Sequence, residues 1–327
     1  MINFQYVRTN TAKAAVAQIT KDKSAKLIAG GTNLVDLMKA GVVAPEKLVD
    51  INTVPFKNIE IINNVLHIGA LATNSAVADH PVVKTQFPLL SLALQAGASA
   101  QLRNMATVGG NMMQRTRCAY FYDTTMPCNK RTPGTGCGAK EGFNRMHAIF
   151  GTSDNCIAVH PSDMCVALAA LDATVVITGT TGERKLKFTD FHRLPGTTPE
   201  KDNNLLANEM IIRVEVPVNK FAANSHYLKI RDRASYAFAL VSVAVAVEKS
   251  GDTISNVKLA MGGVAHKPWR LTEAETFLKG KSATLENYEK AAAIAITGAK
   301  TYKENTFKPK MAANAIIDAL TQAVAKV

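Results

Sequence analysis

The sequence predicts an α+β protein in three parts. Helical periodicity alternates with short apolar runs over the first fifty residues. Two hairpin patterns then bracket a middle section that holds apolar helices. The last third opens with alternating strands and closes in alanine-rich helices. These shifts divide the chain into segments 1–55, 56–217 and 218–327.

Each element follows from local chemistry. TAKAAVAQIT (11–20) has helical spacing, AKLIAGG (25–31) runs as a strand into a glycine turn, NLVDLMKAG (33–41) is a helix closed by Gly41, and EKLVDIN (46–52) is a second strand. IEIINNVLHIGAL (59–71) reads as a hairpin turning at Asn63-Asn64, and PLLSLALQAGA (88–98) as a helix ending near Gly97. From about 113 to 156 neither period holds. DMCVALAALDATVVITGTTGERKLKFTDF (163–191) then gives a helix and a hairpin turning at Thr181-Gly182. EMIIRVEVP (209–217) is a strand, with Pro217 and Asn219 marking a linker. SHYLKIRDR, FALVSVAVAVEKS and SNVKLAMGGVA form a three-stranded sheet, followed by two or three helices.

The totals exclude several classes. With 327 residues, 47% of them hydrophobic and 20% charged, the chain has the composition of a soluble protein with more than one core. No apolar run reaches the roughly 18 residues that cross a bilayer, so membrane insertion is not expected. The start MINFQYVRTNTAKAAVAQ has no signal-peptide pattern, which implies the cytoplasm or export with a signal-bearing partner. The net charge of +12 comes from scattered Lys and Arg, and no nucleic-acid-binding motif accompanies it. A positive field suited to an anionic cofactor or partner is the reading adopted.

Two glycine pairs stand out. Gly30-Gly31-Thr32-Asn33 follows a strand and opens a helix, and Gly109-Gly110-Asn111 follows Thr107. Such turns let backbone N–H groups converge on an anion, although most glycine pairs mark plain turns. Neither has Rossmann or P-loop spacing. Asp163 fits a helix N-cap, Ile211 a strand core, and Lys229 the solvent face of an amphipathic strand.

LIAGGTNLVDLMK, AGASAQLRNMATVGGNMMQ, HPSDMCVALAALDA, RDRASYAFALVSVAVAV and AMGGVAHKPWR, in that order, resemble the flavin-binding subunit of the molybdenum hydroxylases, the xanthine dehydrogenase and carbon monoxide dehydrogenase group. The resemblance covers essentially the whole chain. It implies a two-lobed FAD-binding domain of the PCMH / CO dehydrogenase flavoprotein type plus a C-terminal sheet-and-helices domain. It further implies FAD contacts from Leu27, Ile28, Ala29, Gly30, Gly31, Thr32, Asn33 and Leu34 in the first loop, and from Thr107, Gly110 and Asn111 in the second. Asp163 maps to the adenosine side, Ile211 to the isoalloxazine and Lys229 to the flavin's surroundings.

Four of the five cysteines, Cys118, Cys128, Cys137 and Cys156, fall in the irregular stretch. They lack the short CxxC knuckles usual for zinc, and the neighbours of Cys128 and Cys137 are too polar and turn-forming for core thiols. Thiolates on a glycine- and proline-rich loop suit a cluster whose iron fixes the loop. Cys165, in apolar MCVALAAL, is read as core. RTRCAYFYDTTMPCNKR and GCGAKEGFNRMHAIFG resemble the FAD subunits of the bacterial periplasmic aldehyde oxidoreductases, which implies a [4Fe-4S] cluster on those four cysteines. The β subunit of hydroxybenzoyl-CoA reductases is the second resemblance considered.

No nucleophile elbow, HExxH or papain-type setting is present, and no catalytic side chain is assigned. His147, His160 and His266 read as isolated, and Tyr120, Phe121 and Tyr122 as packing under the loop. The resemblance implies an electron-transfer subunit. A molybdenum cofactor-binding large subunit would oxidise an aldehyde, a [2Fe-2S] small subunit would pass the electrons on, and FAD here would deliver them to an external acceptor. A stand-alone FAD oxidase is the rival of another class; it needs a base or a covalent flavin link, and neither is evident.

Overall fold

The structure, a computed structural model, describes residues 1–325. Three sheets organise it. The first is parallel and three-stranded: β1 (Gln5–Arg8), β2 (Ala25–Ile28) and β3 (Lys47–Asp50), in the order β1-β3-β2. Helix Ala12–Lys21 begins where Thr11 accepts a hydrogen bond from the Ala14 N–H. Its apolar face, Ala15, Val16 and Ile19, is buried against Val49 and Ile51, and in the same cluster against Val176, Met210 and Ile212 of the next sheet.

The second sheet is antiparallel and contains β4 (Ile59–Ile62), β5 (Val65–Gly69), β6 (Thr174–Gly179), β7 (Gly182–Lys187) and β8 (Glu209–Pro217), ordered β4-β5-β8-β6-β7. Asn63 and Asn64 both take positive φ, 49° and 61°, as a type I′ hairpin turn requires. Gly182 at φ 104° turns the other hairpin.

The third sheet is also antiparallel: β9 (Ser225–Ile230), β10 (Val241–Ser250), β11 (Thr253–Gly262) and β12 (Trp269–Arg270), ordered β12-β11-β10-β9. It has four strands rather than the expected three. β12 is two residues long, too short to show an alternating pattern; Trp269 stacks on Phe150 with ring centroids 5.2 Å apart.

Along β10 the alternation sorts two cores. Val243, Val245 and Val247 belong to the cluster with the C-terminal helices Thr272–Leu278, Leu285–Ala295 and Lys308–Val324, while Ala244 and Ala246 belong to the one containing helix Asp163–Ala170. All eight residues of helix Asp163–Ala170 are buried. Small side chains on that face of β10 let the helix approach closely. Residues 113–156 wrap across this junction with a single four-residue helix, Ala119–Tyr122.

Candidate cofactor sites

The first glycine loop lies between β2 and helix Leu34–Lys39. A Cβ built on Gly30 would sit 1.8 Å from the Met105 carbonyl oxygen, so only glycine allows the backbone to press against Met105–Ala106. That contact places the first loop beside the start of the second, at Thr107. Gly31 adopts φ 71°. The N–H groups of Gly30, Gly31, Thr32 and Asn33 donate to no atom among the described residues. Residues 27–34 are half-buried, so the loop offers unspent donors at an accessible surface.

The second loop is built differently. Thr107 caps the short helix Val108–Met112, and its N–H groups are already donated: Val108 to Ala72 O at 2.9 Å, Gly109 to Ala70 O at 2.8 Å, Gly110 to Thr107 Oγ1 at 3.3 Å and Asn111 to Thr107 O at 2.7 Å. Gly109 packs with its Cβ position 3.2 Å from Ala70. Asn111 Oδ1 accepts from Ser162 Oγ at 2.6 Å and from Gln114 Nε2 at 2.7 Å. This loop braces the first and ties it to the start of helix Asp163–Ala170.

Ser162, not Asp163, caps that helix, accepting from the Cys165 N–H at 3.1 Å. Asp163 is the first helical residue, where a carboxylate is favoured. Its side chain is only 7% exposed, pairs with Lys229 Nζ at 2.8 Å and accepts from Tyr227 Oη at 2.7 Å. Lys229 Nζ also donates to Ala96 O at 3.0 Å. Asp163 and Lys229, assigned by resemblance to different parts of an extended cofactor, are thus in direct contact with each other. Ile211, 6% exposed near the start of β8, lies in the main core cluster with Val108 and Met112 and does not line the neighbouring cleft.

That cleft, about 230 Å³, opens between the irregular stretch, the segment leading into helix Asp163–Ala170 and the third sheet. Asp163, Arg117, Phe238, Val159, Cys118 and His147 are among its walls. Arg117 lies over the Phe238 ring at 5.2 Å.

Cys118 and His147 also line a second, smaller space, together with Cys128, Cys137, Cys156, Lys130 and Ala158. The four loop cysteines therefore meet at one point. At about 10 Å³ the space between them is the size of one water molecule. Cys128 and Cys137 are bridge partners, yet all four thiols are free. The loop is folded by its own hydrogen bonds: Asn129 Oδ1 accepts from the N–H groups of Gly134 and Gly136, and the Arg131 guanidinium binds the carbonyls of Tyr120 and Phe121. Phe121, fully buried with Leu37 and Cys128, packs under it. Burial and the neighbouring sulfurs push the Cys118 thiol up to about 11, and burial pushes Cys156 to about 12 against the pull of Lys130. Metal binding there must displace protons.

Lys130 is 1% exposed and is held by Pro199 O at 2.7 Å and by the Asp202 carboxylate, which Arg115 also engages at 2.7 Å. Burial raises Asp202, but Lys130 and Arg115 outweigh it and hold the acid at about 2. Arg115 N donates to Asn33 Oδ1 at 2.9 Å, so one network connects the first glycine loop with the cysteine loop.

Comparison with known proteins places this arrangement. The sequence pattern of the FAD binding domain in molybdopterin dehydrogenase matches residues 2–219. The chain belongs to that flavoprotein family. The CO dehydrogenase flavoprotein C-terminal domain matches residues 226–323 of the same flavoprotein. It is 45% identical over 326 residues to the aldehyde oxidoreductase FAD-binding subunit PaoB of Escherichia coli K12, spanning 99% of both chains. To the glyceraldehyde dehydrogenase medium chain of Sulfolobus acidocaldarius it is 30% identical, over 85% of this chain and 82% of the other. A solved structure of carbon monoxide dehydrogenase from Hydrogenophaga pseudoflava, which lacks the Mo-pyranopterin moiety of the molybdenum cofactor, superposes with a TM-score of 0.79 at 27% identity, covering 100% of this chain and 99% of that one. The α+β two-part architecture is that of the family, and the flavoprotein is an FAD-binding, electron-transferring oxidoreductase subunit of the molybdenum hydroxylase type.

The flavoprotein holds one tighter group of metal-ligand side chains. Among the described residues, His160, Cys165 and His192 are the three whose ligand atoms all lie within 4.8 Å of one another. The hydrogen bonds around them favour packing. His192 Nε2 pairs with Met112 O at 2.9 Å as the donor, leaving a lone pair on Nδ1; His160 Nδ1 accepts from the Ser162 N–H at 3.4 Å, leaving the hydrogen on Nε2. Each ring is thus held by one backbone hydrogen bond, and Cys165 is fully buried core as read from its sequence. Among the described residues, no three of the loop cysteines bring their sulfurs within 4.8 Å of one another.

His147 and His266 are not isolated, which corrects the reading from sequence. His147 Nε2 lies 3.1 Å from Cys118 Sγ, and His266 Nε2 3.9 Å from Cys156 Sγ. Burial lowers them to about 4 and about 3, assisted by Lys308 and Lys130 respectively. Lys130 and Tyr227 were likewise missed. No local signal marks any of the four, because each partner is distant in sequence.

Proposed function

We propose that this subunit holds FAD and a [4Fe-4S] cluster side by side in a molybdenum-dependent aldehyde oxidoreductase. Bound FAD would accept electrons singly or in pairs and discharge them to an external acceptor. The observation that carries the reading is that Cys118, with Thr116 and His147, lines both the cysteine cavity and the cleft whose wall includes Asp163. The relative named as an aldehyde oxidoreductase subunit, similar over the full length, supports the aldehyde.

In this reading the unspent N–H groups from Gly30 to Asn33, with Leu27, Ile28, Ala29 and Leu34 around them, hold the diphosphate. Thr107, Gly110 and Asn111 form the opposite side. Asp163 and Lys229 orient one end of the cofactor, and Ile211 supports the floor from within the core. Cys118, Cys128, Cys137 and Cys156 hold the cluster; four thiols with no disulfide and no carboxylate among the cavity's lining residues are donors suited to iron. The partners are a molybdenum cofactor-binding large subunit and a [2Fe-2S] small subunit. Export would follow a signal-bearing partner, with the cytoplasm as the alternative compartment. The three-way division at 55 and 217 belongs to the same proposal.

The test separates the subunits. Added aldehyde should bleach the flavin absorbance of the complete complex and leave that of the isolated subunit unchanged. Bleaching of the isolated subunit by aldehyde would overturn the division of labour.

A further inference from the structure

We infer that His147 is a positioning residue that donates an N–H···S hydrogen bond to Cys118 and thereby raises the reduction potential of the cluster, with His266 acting more weakly on Cys156. The inference rests on the reading that the loop cysteines hold iron.

The contact is short and the ring is fixed. His147 Nε2 stands 3.1 Å from Cys118 Sγ, against 3.9 Å for His266 and Cys156. The His147 backbone is clamped from three directions: its N–H donates to Asn144 O at 3.0 Å, and its carbonyl accepts from Lys308 Nζ at 2.8 Å and Asn305 Nδ2 at 3.3 Å. The ring also rests tilted against Tyr120, centroids 6.5 Å apart. Such a ring does not swing away when the sulfur changes its charge.

The direction of the bond follows from the ligand. A thiol can donate to an imidazole nitrogen, but a metal-bound thiolate only accepts, so a neutral His147 must carry its hydrogen on Nε2. Nothing opposes that tautomer: Nδ1 is buried and has no hydrogen-bond partner among the described residues, so no acceptor draws the hydrogen to it. His147 is 6% exposed, and a donor in so dry a place acts strongly on a nearby charge.

Hydrogen bonds to the sulfurs stabilise the more negative, reduced state and are among the factors that set cluster potentials. Cys118 is also the one loop cysteine that lines the cleft beside Asp163.

The experiment is an EPR-monitored redox titration of the complete complex carrying His147→Phe, His147→Gln or the original residue, with iron counted in each. His147→Phe keeps the bulk and removes the donor. It should retain iron and lower the equilibrium constant for one-electron reduction about tenfold, which is about 59 mV. His147→Gln keeps an N–H near the same place and should recover most of the shift.

Retained iron with an unchanged potential in His147→Phe would overturn the inference. If His147→Phe binds no iron, pulsed EPR of the unsubstituted complex grown with ¹⁵N-histidine decides. A weak coupling to one imidazole nitrogen, lost in His147→Gln, supports the inference, and its absence overturns it. An iron-free unsubstituted complex removes the cluster reading itself, which the iron count reports separately.

Discussion

Gly30 has no room for a side chain. A methyl group there meets the Met105 carbonyl at 1.8 Å, so Gly30→Ala must push the two glycine loops apart. We expect it to cost about 1–3 kcal/mol in stability and to strip most of the flavin from the purified complex, as read by flavin absorbance. Lys229 makes the opposite case, a charge that belongs inside. On its strand it looks solvent-facing, because the period of two says nothing about a partner 66 residues earlier; the structure buries it to 5% exposure against Asp163. Lys229→Met leaves the Asp163 carboxylate buried with only Tyr227 donating. Denaturant unfolding should register a loss of about 3–5 kcal/mol. A change within experimental error would return Lys229 to the surface.

The glycine-to-helix turns, both hairpins and the long irregular stretch were legible because each is written in adjacent residues. Asn63-Asn64 is a type I′ turn by composition alone. The convergence of the four cysteines was not legible from spacing, since nothing local says that Cys118 and Cys156 share a wall; the resemblance supplied it. β12 and the His147–Cys118 contact escaped for the same reason, being made entirely by distant partners. At this scale the cysteines divide cleanly. Cys137→Ser should reduce iron from about four per chain to a small remainder, while Cys165→Ser, altering a core thiol away from the loop, should keep it. The turn Thr132–Thr135 is an exposed part of this loop segment. Limited proteolysis should cut there after iron is removed with a chelator and spare it before; equal cutting in both states would contradict the idea that iron staples the loop.

Across the whole molecule, the third sheet joins two cores, and Lys308 sits where they meet the cysteine loop. It is fully buried, donates to His147 O and Gly263 O, and is lowered to about 7 by burial and by Arg145. A lysine with a depressed folded pKa binds fewer protons folded than unfolded between about 7 and its ordinary 10.5. Its contribution therefore grows more favourable as pH rises through that window, and is lost as pH falls to about 7. Lys308→Met should flatten that part of the stability–pH curve relative to the unsubstituted chain; parallel curves would show that the group does not titrate there. The larger proposal is that one chain cradles a dinucleotide between two glycine loops and holds iron in the cysteine loop that Arg115 ties to the first of them. The most direct measurement is flavin and iron quantitation, with a visible spectrum, on the complex purified without oxygen. About one flavin and about four irons per copy of this chain are predicted. A complex with neither would contradict the account, and flavin without iron would remove its cysteine half.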